Sequence, residues 1–423
     1  MKNLKKVIAL LLAGVLIVGS MAGCGGSGGD AAGDGGTNNE APTGDDGASG
    51  GDDASGGDDA AGGEGTSSVE TQHHKIGIGL YTDSGKSVEA IKAYCAGISD
   101  AVDCEFVFTT LSTYDEATNL SEIQNLISSG CDGIIMTADM GTTAIVQECQ
   151  AAGVYLAGFL CDYNQSMYTA FDDTFGNEYF LGTVCDGMAD ATPYCEAVAD
   201  EVIANGYKNV GIVIFPEYAY PNQKAGAEAF KAKIDAYNDT ADAADQITVA
   251  DPEVLEFQPL ADTYFSEHPD MDCLFSIAAG AGMVYPVMVA NGKTDIKLYT
   301  TGFEGTDDTD NFGTSGNQCY QGTMFSTPEA IVYPLCLLID KLNGTTYSDL
   351  PEVAERVDCS PMILLSDEDM AAVVENSIYY TADYSKAFLT GEEVVQLCAS
   401  YNPDATYAGL VDTVNHMGVE DLK

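Results

Sequence analysis

The sequence predicts an α/β protein built as two doubly wound, parallel-sheet lobes in tandem, and three observations predict it. From residue 75 onward, short β-rich apolar runs alternate with stretches of helical periodicity. The alternation lapses between about 160 and 193, where Asp, Asn, Gly and Tyr dominate, and then restarts. The links are short, as in parallel sheets covered by helices on both faces.

In order, residues 75–80 (KIGIGL) read as a buried strand and 87–102 as an amphipathic helix. Strand 105–109, helix 115–129, strand 133–137, helix 142–152 and strand 154–160 complete the first series. The second series has helix 193–205, strand 210–215 (VGIVIF), helix 222–237, strand 247–250, helix 260–268, strand 273–277, helix 282–291 and strand 296–302. Residues 323–325 read as a strand, 328–342 as a helix and 362–365 as a last strand. Two helices are expected around 384–400 and 406–416, within an extension from 367 to 423 that has no assigned role.

Charge divides the chain differently. Sixteen Lys and Arg face 66 Asp and Glu, a formal net charge of −50. Such a surface cannot engage phosphates through basic side chains, which argues against nucleic acid as a partner and against electrostatic membrane binding. Residues 1–23 carry +3, residues 24–74 carry −11, and the remainder carries −42. The first block has a basic start and an apolar run over 7–18, too short to span a bilayer of ~30 Å, and reads as an export signal. Met21-Ala22-Gly23-Cys24 resembles the bacterial lipobox, which implies cleavage before Cys24 and lipidation of that cysteine. Residues 24–74 lack aromatic side chains and cannot bury enough apolar surface to offset ordering entropy. They read as a tether that reaches roughly 35–40 Å on average.

The run SEIQNLISSGCDGIIM (121–136) resembles the "Q…LI…GvDGIIi" signature of type I periplasmic binding proteins. GFEGT (302–306) is similar to their "GfDgt" turn, and GTMFSTPE (322–329), followed by a helix and Asn343-Gly344, to a further segment. The resemblance covers about 75–366. It implies an N-lobe of 75–180 with 322–345, a C-lobe of 181–321 with 346–366, a three-crossover hinge and a ligand cleft between lobes. It also implies an extracytoplasmic location on the outer face of a bacterial cytoplasmic membrane and an ABC transporter permease as partner. No enzymatic activity, cofactor or metal is expected. A sensory receptor serving a membrane histidine kinase and a nucleoside-binding lipoprotein are the alternatives.

Open α/β sheets bind ligands outside the carboxyl ends of their strands. Those positions hold Tyr81 and Asp83, then Asp139, then Asp162 and Tyr163 in the first series. In the second they hold Tyr218, Tyr220 and Asn222, then Glu304, with Ser326 at the last crossing. Carboxylates suit paired sugar hydroxyls and aromatic rings suit their C–H faces. Asp162 and Glu304 match acids that hold hydroxyls in sugar receptors of this family. The family's arginines are missing, and the single arginine, Arg356, lies elsewhere. Without a guanidinium clamp, the expected ligand is small and neutral, a sugar or sugar-like compound.

Other motifs fall short. SGKS (84–87) lacks the glycine spacing of a phosphate-binding loop, and 308–319 lacks the terminal acid of a calcium loop. The thirteen cysteines form no C-x-x-C pair and the four histidines are scattered, which gives a zinc site little support. Whether the cysteines pair depends on the redox state of the surroundings, and sequence leaves both states open.

Overall fold

The computed structural model describes residues 71–112, 115–161, 163, 171–302, 311–314 and 318–423. Asp162, Glu304 and Cys24 lie outside them.

The first sheet has six strands: β1 (His74–Leu80), β2 (Cys104–Thr110), β3 (Gly133–Met136), β4 (Tyr155–Phe159), β5 (Phe180–Val184) and the short β12 (Arg356–Val357), in the order β12-β5-β4-β3-β1-β2. All five pairings are parallel. Helices α1 (Lys86–Val102), α2 (Glu116–Ser128), α3 (Thr142–Ala152) and α4 (Phe171–Phe175) come from the links. Period-two alternation sorts its side chains: Ile135 joins the core beneath α1, whereas Ile134 and Met136 join the core beneath α2 and α3. Helix α2 starts where it does because the Asp115 carboxylate accepts from the N–H groups of Ala117 and Thr118, satisfying two otherwise orphaned donors.

The second lobe repeats the scheme with α5 (Thr192–Asn205), α6 (Pro221–Asn238), α7 (Tyr264–Glu267) and α8 (Tyr285–Ala290). Its strands are β6 (Asn209–Ile214), β7 (Thr248–Val249), β8 (Glu253–Val254), β9 (Cys273–Ser276), β10 (Lys297–Thr300), β11 (Tyr320–Ser326) and β13 (Pro361–Leu364). The order is β13-β11-β10-β9-β6-β7, with β8 beside β6 and β13 antiparallel to β11. Val213 faces one core, and Val210, Ile212 and Ile214 face the other.

Three expected boundaries are corrected. Phe180–Val184 is a strand of the first sheet, so the first crossing follows Val184 rather than residue 180. Tyr320–Ser326 belongs to the second sheet, so the return crossing follows Ser326 instead of preceding residue 322. Arg356–Val357 pairs with β5 in the first sheet, outside the C-lobe that the resemblance implies for it. In each case the strand completes its ladder before the chain leaves, because an unpaired buried backbone group costs as much as a lost hydrogen bond. Helix α9 (Val332–Leu342) does lie in the first lobe, with Val332 to Ile339 in its core.

The extension is not a loose tail. It forms α10 (Asp367–Asn376), α11 (Ile378–Thr381), α12 (Gly391–Leu397) and α13 (Tyr407–Val414), and contributes buried residues to the cores of both lobes. Gly97, mid-helix in α1, exists for it: a Cβ there would stand 2.2 Å from the Tyr384 ring.

Candidate functional site

The chain leaves β5 at Val184, β11 at Ser326 and β12 at Val357, each time from a carboxyl end. These crossings lie side by side. The Ser326 hydroxyl donates to Asp186 Oδ1 (2.9 Å) and accepts from the Gly187 N–H (2.9 Å). The Cys359 thiol donates to the Cys185 carbonyl (3.2 Å), and a Cβ on Gly187 would meet Pro361 at 2.8 Å. Because all three crossings depart from carboxyl ends, the carboxyl edges of both sheets meet at the hinge, where such folds place ligands.

On the first-lobe edge, Tyr81 is 40% exposed and its hydroxyl is 2.8 Å from Ser87 Oγ. Asp83 is exposed beside Ser84, whose hydroxyl it accepts at 3.0 Å. Asp139 is half-buried after β3, and its Oδ2 accepts the Tyr163 N–H at 3.3 Å. Tyr163 itself departs from expectation. It is 1% exposed and stands edge-on to Phe175 and Phe180, a core residue rather than a ligand contact. Leu160 (53°) and Tyr163 (43°) have left-handed φ angles, and Gly158 leaves room for the Tyr163 ring, since a Cβ there would meet it at 2.7 Å.

On the second-lobe edge, Tyr218 (62% exposed) and Tyr220 belong to an aromatic cluster that includes residues beyond those expected. Phe257 stacks on Phe215 with centroids 5.2 Å apart, Tyr220 packs against Phe215 at 5.2 Å, and Tyr218 stands edge-on to Phe257 at 6.5 Å. The Tyr218 hydroxyl reaches Glu256 Oε2 at 3.5 Å, and burial followed by the Glu256 charge raises its pKa. Phe257 and Glu256 were missed because β8, which precedes them, is two residues long; an aromatic in a polar loop after a second-series strand was the available signal.

Two expected ligand contacts also make structural bonds. Asn222 Nδ2 donates to the Met188 carbonyl (2.6 Å), pinning the first crossing to α6, and Ser326 joins the crossings to each other. Beside them, Glu329 is fully buried. It accepts from the Thr327 hydroxyl and from the Phe388 N–H, and burial raises its pKa above the ordinary carboxylate value. Arg356 is exposed on edge strand β12. A pocket of about 160 Å³ bordered by Asn209, Thr248 and His268 opens at the amino ends of β6 and β7, far along the strands from the hinge. Among the described residues, no cluster of His, Cys, Asp or Glu could hold a metal, and no helix is long and apolar enough to cross a membrane.

The chain has the fold of type I periplasmic binding proteins. It is similar to an ABC transporter solute-binding protein from Agrobacterium vitis bound with α-D-tagatopyranose (TM-score 0.52, 12% identity, covering 72% of this chain and 99% of that one). A sugar ABC transporter from Yersinia enterocolitica gives TM-score 0.52 at 14% identity, covering 75% of this chain and 96% of that one. A Bacteroides fragilis structure described as a LacI transcriptional regulator gives 0.50 at 12% identity, covering 71% and 99%. No family model and no curated protein matches the sequence. At these identities the likeness shows the fold alone, and function rests on the site.

Proposed function

We propose that this chain is an extracytoplasmic solute-binding protein that closes its two lobes on a small neutral ligand, a sugar or sugar-like compound, and passes it to an ABC transporter permease. One observation carries the reading: an aromatic cluster of Phe215, Tyr218, Tyr220 and Phe257, with Glu256 beside it, sits at the carboxyl edge of the second sheet. Opposite lies an edge furnished with Tyr81, Asp83 and Asp139. Ring faces take sugar C–H surfaces and carboxylates take paired hydroxyls. Asp162 and Glu304 are proposed to add two further acids from outside the described residues. The protein contributes binding and closure, and no chemistry.

Cys24 is proposed to carry lipid after removal of residues 1–23, which holds the protein on the outer face of the membrane through the tether. The Cys24→Ala protein should then appear in soluble fractions, and one that still sediments with membranes refutes the anchor.

A melting screen of the soluble Cys24→Ala protein, without its signal, against sugars, nucleosides and amino acids tests the ligand class. A ligand present at 100 times its Kd adds about 2.7 kcal/mol of stability. A shift with a neutral sugar supports the reading. Silence across sugars with a shift for nucleosides overturns it in favour of base stacking on the same aromatic cluster.

A further inference from the structure

The extension 367–423 changes lobes repeatedly. Met370, Ala372 and Val373 lie in the second-lobe core. Ile378 is in the first-lobe core, while its neighbour Tyr379 is in the second-lobe core, stacked on Phe325 of β11 with centroids 3.9 Å apart. Val394, Cys398, Tyr407, Leu410, Val414 and Met417 then return to the first lobe. Finally Val419 and Leu422 join the second, where Asn376 donates to the Leu422 carbonyl (3.0 Å) and Lys423 pairs with Asp369 (2.9 Å).

These passages run along the hinge. Phe388 packs against both cores and donates its N–H to Glu329, just after the second crossing. Lys86, at the start of α1, donates to the Tyr380 carbonyl at 3.0 Å with its amine 4.4 Å from the Tyr380 ring centroid. Ser360, in the third crossing, donates its N–H to the Val414 carbonyl and its hydroxyl to the Asn415 carbonyl.

We infer that the extension is an interlobe strap, two connections added to the three hinge crossings, which narrows the range of lobe rotation open to the protein without ligand. Three short adjacent segments can bend about one axis by changing a few backbone angles. Apolar side chains buried on either side of that axis cannot follow a wide rotation without leaving one core. Each large side chain withdrawn forfeits its apolar burial.

The test is an interlobe distance distribution by pulsed electron resonance on the ligand-free full-length mature chain (Cys24→Ala), spin-labelled at Glu89→Cys on α1 and Glu228→Cys on α6. Both positions are exposed, whereas the twelve described native cysteines are buried. The full chain should give one narrow distance. Deleting residues 419–423, which removes one connection, should broaden the distribution and add longer separations; Tyr379→Ala, which loosens the other, should do the same, and serves if the deletion fails to fold. A full chain already as broad as the variants, or variants as narrow as the full chain, overturns the strap. No ligand is used, so failure here leaves the sugar-binding reading untouched, and failure of the melting screen leaves the strap untouched.

Discussion

Ser326 and Asp186 lie 140 positions apart in the chain, yet the serine hydroxyl donates to the aspartate carboxylate at 2.9 Å and so ties the second crossing to the first. The same hydroxyl accepts the Gly187 N–H. A residue expected to touch ligand thus also holds the hinge.

Ser326→Ala should therefore act on stability before affinity. It strands the Gly187 N–H and one Asp186 oxygen loses a donor, costing about 1–3 kcal/mol. Urea unfolding measures this. An unchanged midpoint with a weakened ligand response would show that Ser326 contacts ligand directly.

The aromatic cluster gives the opposite expectation. Tyr218→Ala should leave the ligand-free melting temperature nearly unchanged, because the ring is 62% exposed. The same change should weaken sugar binding by about two- to thirteenfold, the worth of an aromatic contact at about 0.5–1.5 kcal/mol. Calorimetric titration with the best ligand from the melting screen measures it.

Glu329 should impose a pH slope of defined sign. Burial raises its folded pKa, so between its ordinary value near 4.5 and that raised value the folded state holds more protons than the unfolded. Its contribution to stability is present at low pH and is lost as pH rises through the folded pKa. Glu329→Gln removes that loss. Relative to the parent, the variant should become progressively more stable from about pH 4.5 upward, read as the difference between two urea series. Carboxylates whose pKa is lowered, such as Asp369 beside Lys423, slope the other way but cancel in the difference.

The thiols should be silent in the folded protein. All twelve described cysteines are buried, and burial raises the pKa of Cys104, Cys149 and Cys195 to about 12. At pH 8 a thiol reagent should react with almost none of them until denaturant is added. Rapid modification in native buffer would contradict the packing.

Sequence periodicity revealed the strands that are both apolar and long. β1 and β6 appear within one residue of expectation, and α2 and α6 within one residue at each end. The strands that escaped are those whose pairing comes from tertiary context: β5, embedded in a polar stretch, and β8 and β12, two residues each. Helix 260–268 shrinks to the four residues Tyr264–Glu267, of which Tyr264 and Phe265 face the core, while Leu260 is buried from the loop before it. At the site, position after a strand identified which residues stand near the ligand edge, but not where their side chains point. Tyr163 turned inward through a left-handed backbone that sequence does not announce. The extension's role was illegible because its partners lie far upstream, as with the Tyr401 hydroxyl and the Val102 carbonyl, 299 positions apart.

Those long separations bear on how the chain is made. The first lobe lacks part of its core until Val414 and Met417 arrive, and the second until Val419 and Leu422 do. A chain threaded outward from its amino terminus therefore cannot finish either half while its tail is still being delivered. Both halves must wait for the segment from Val414 onward, and truncation before Val414 should leave two unfinished lobes rather than one complete lobe and one damaged one.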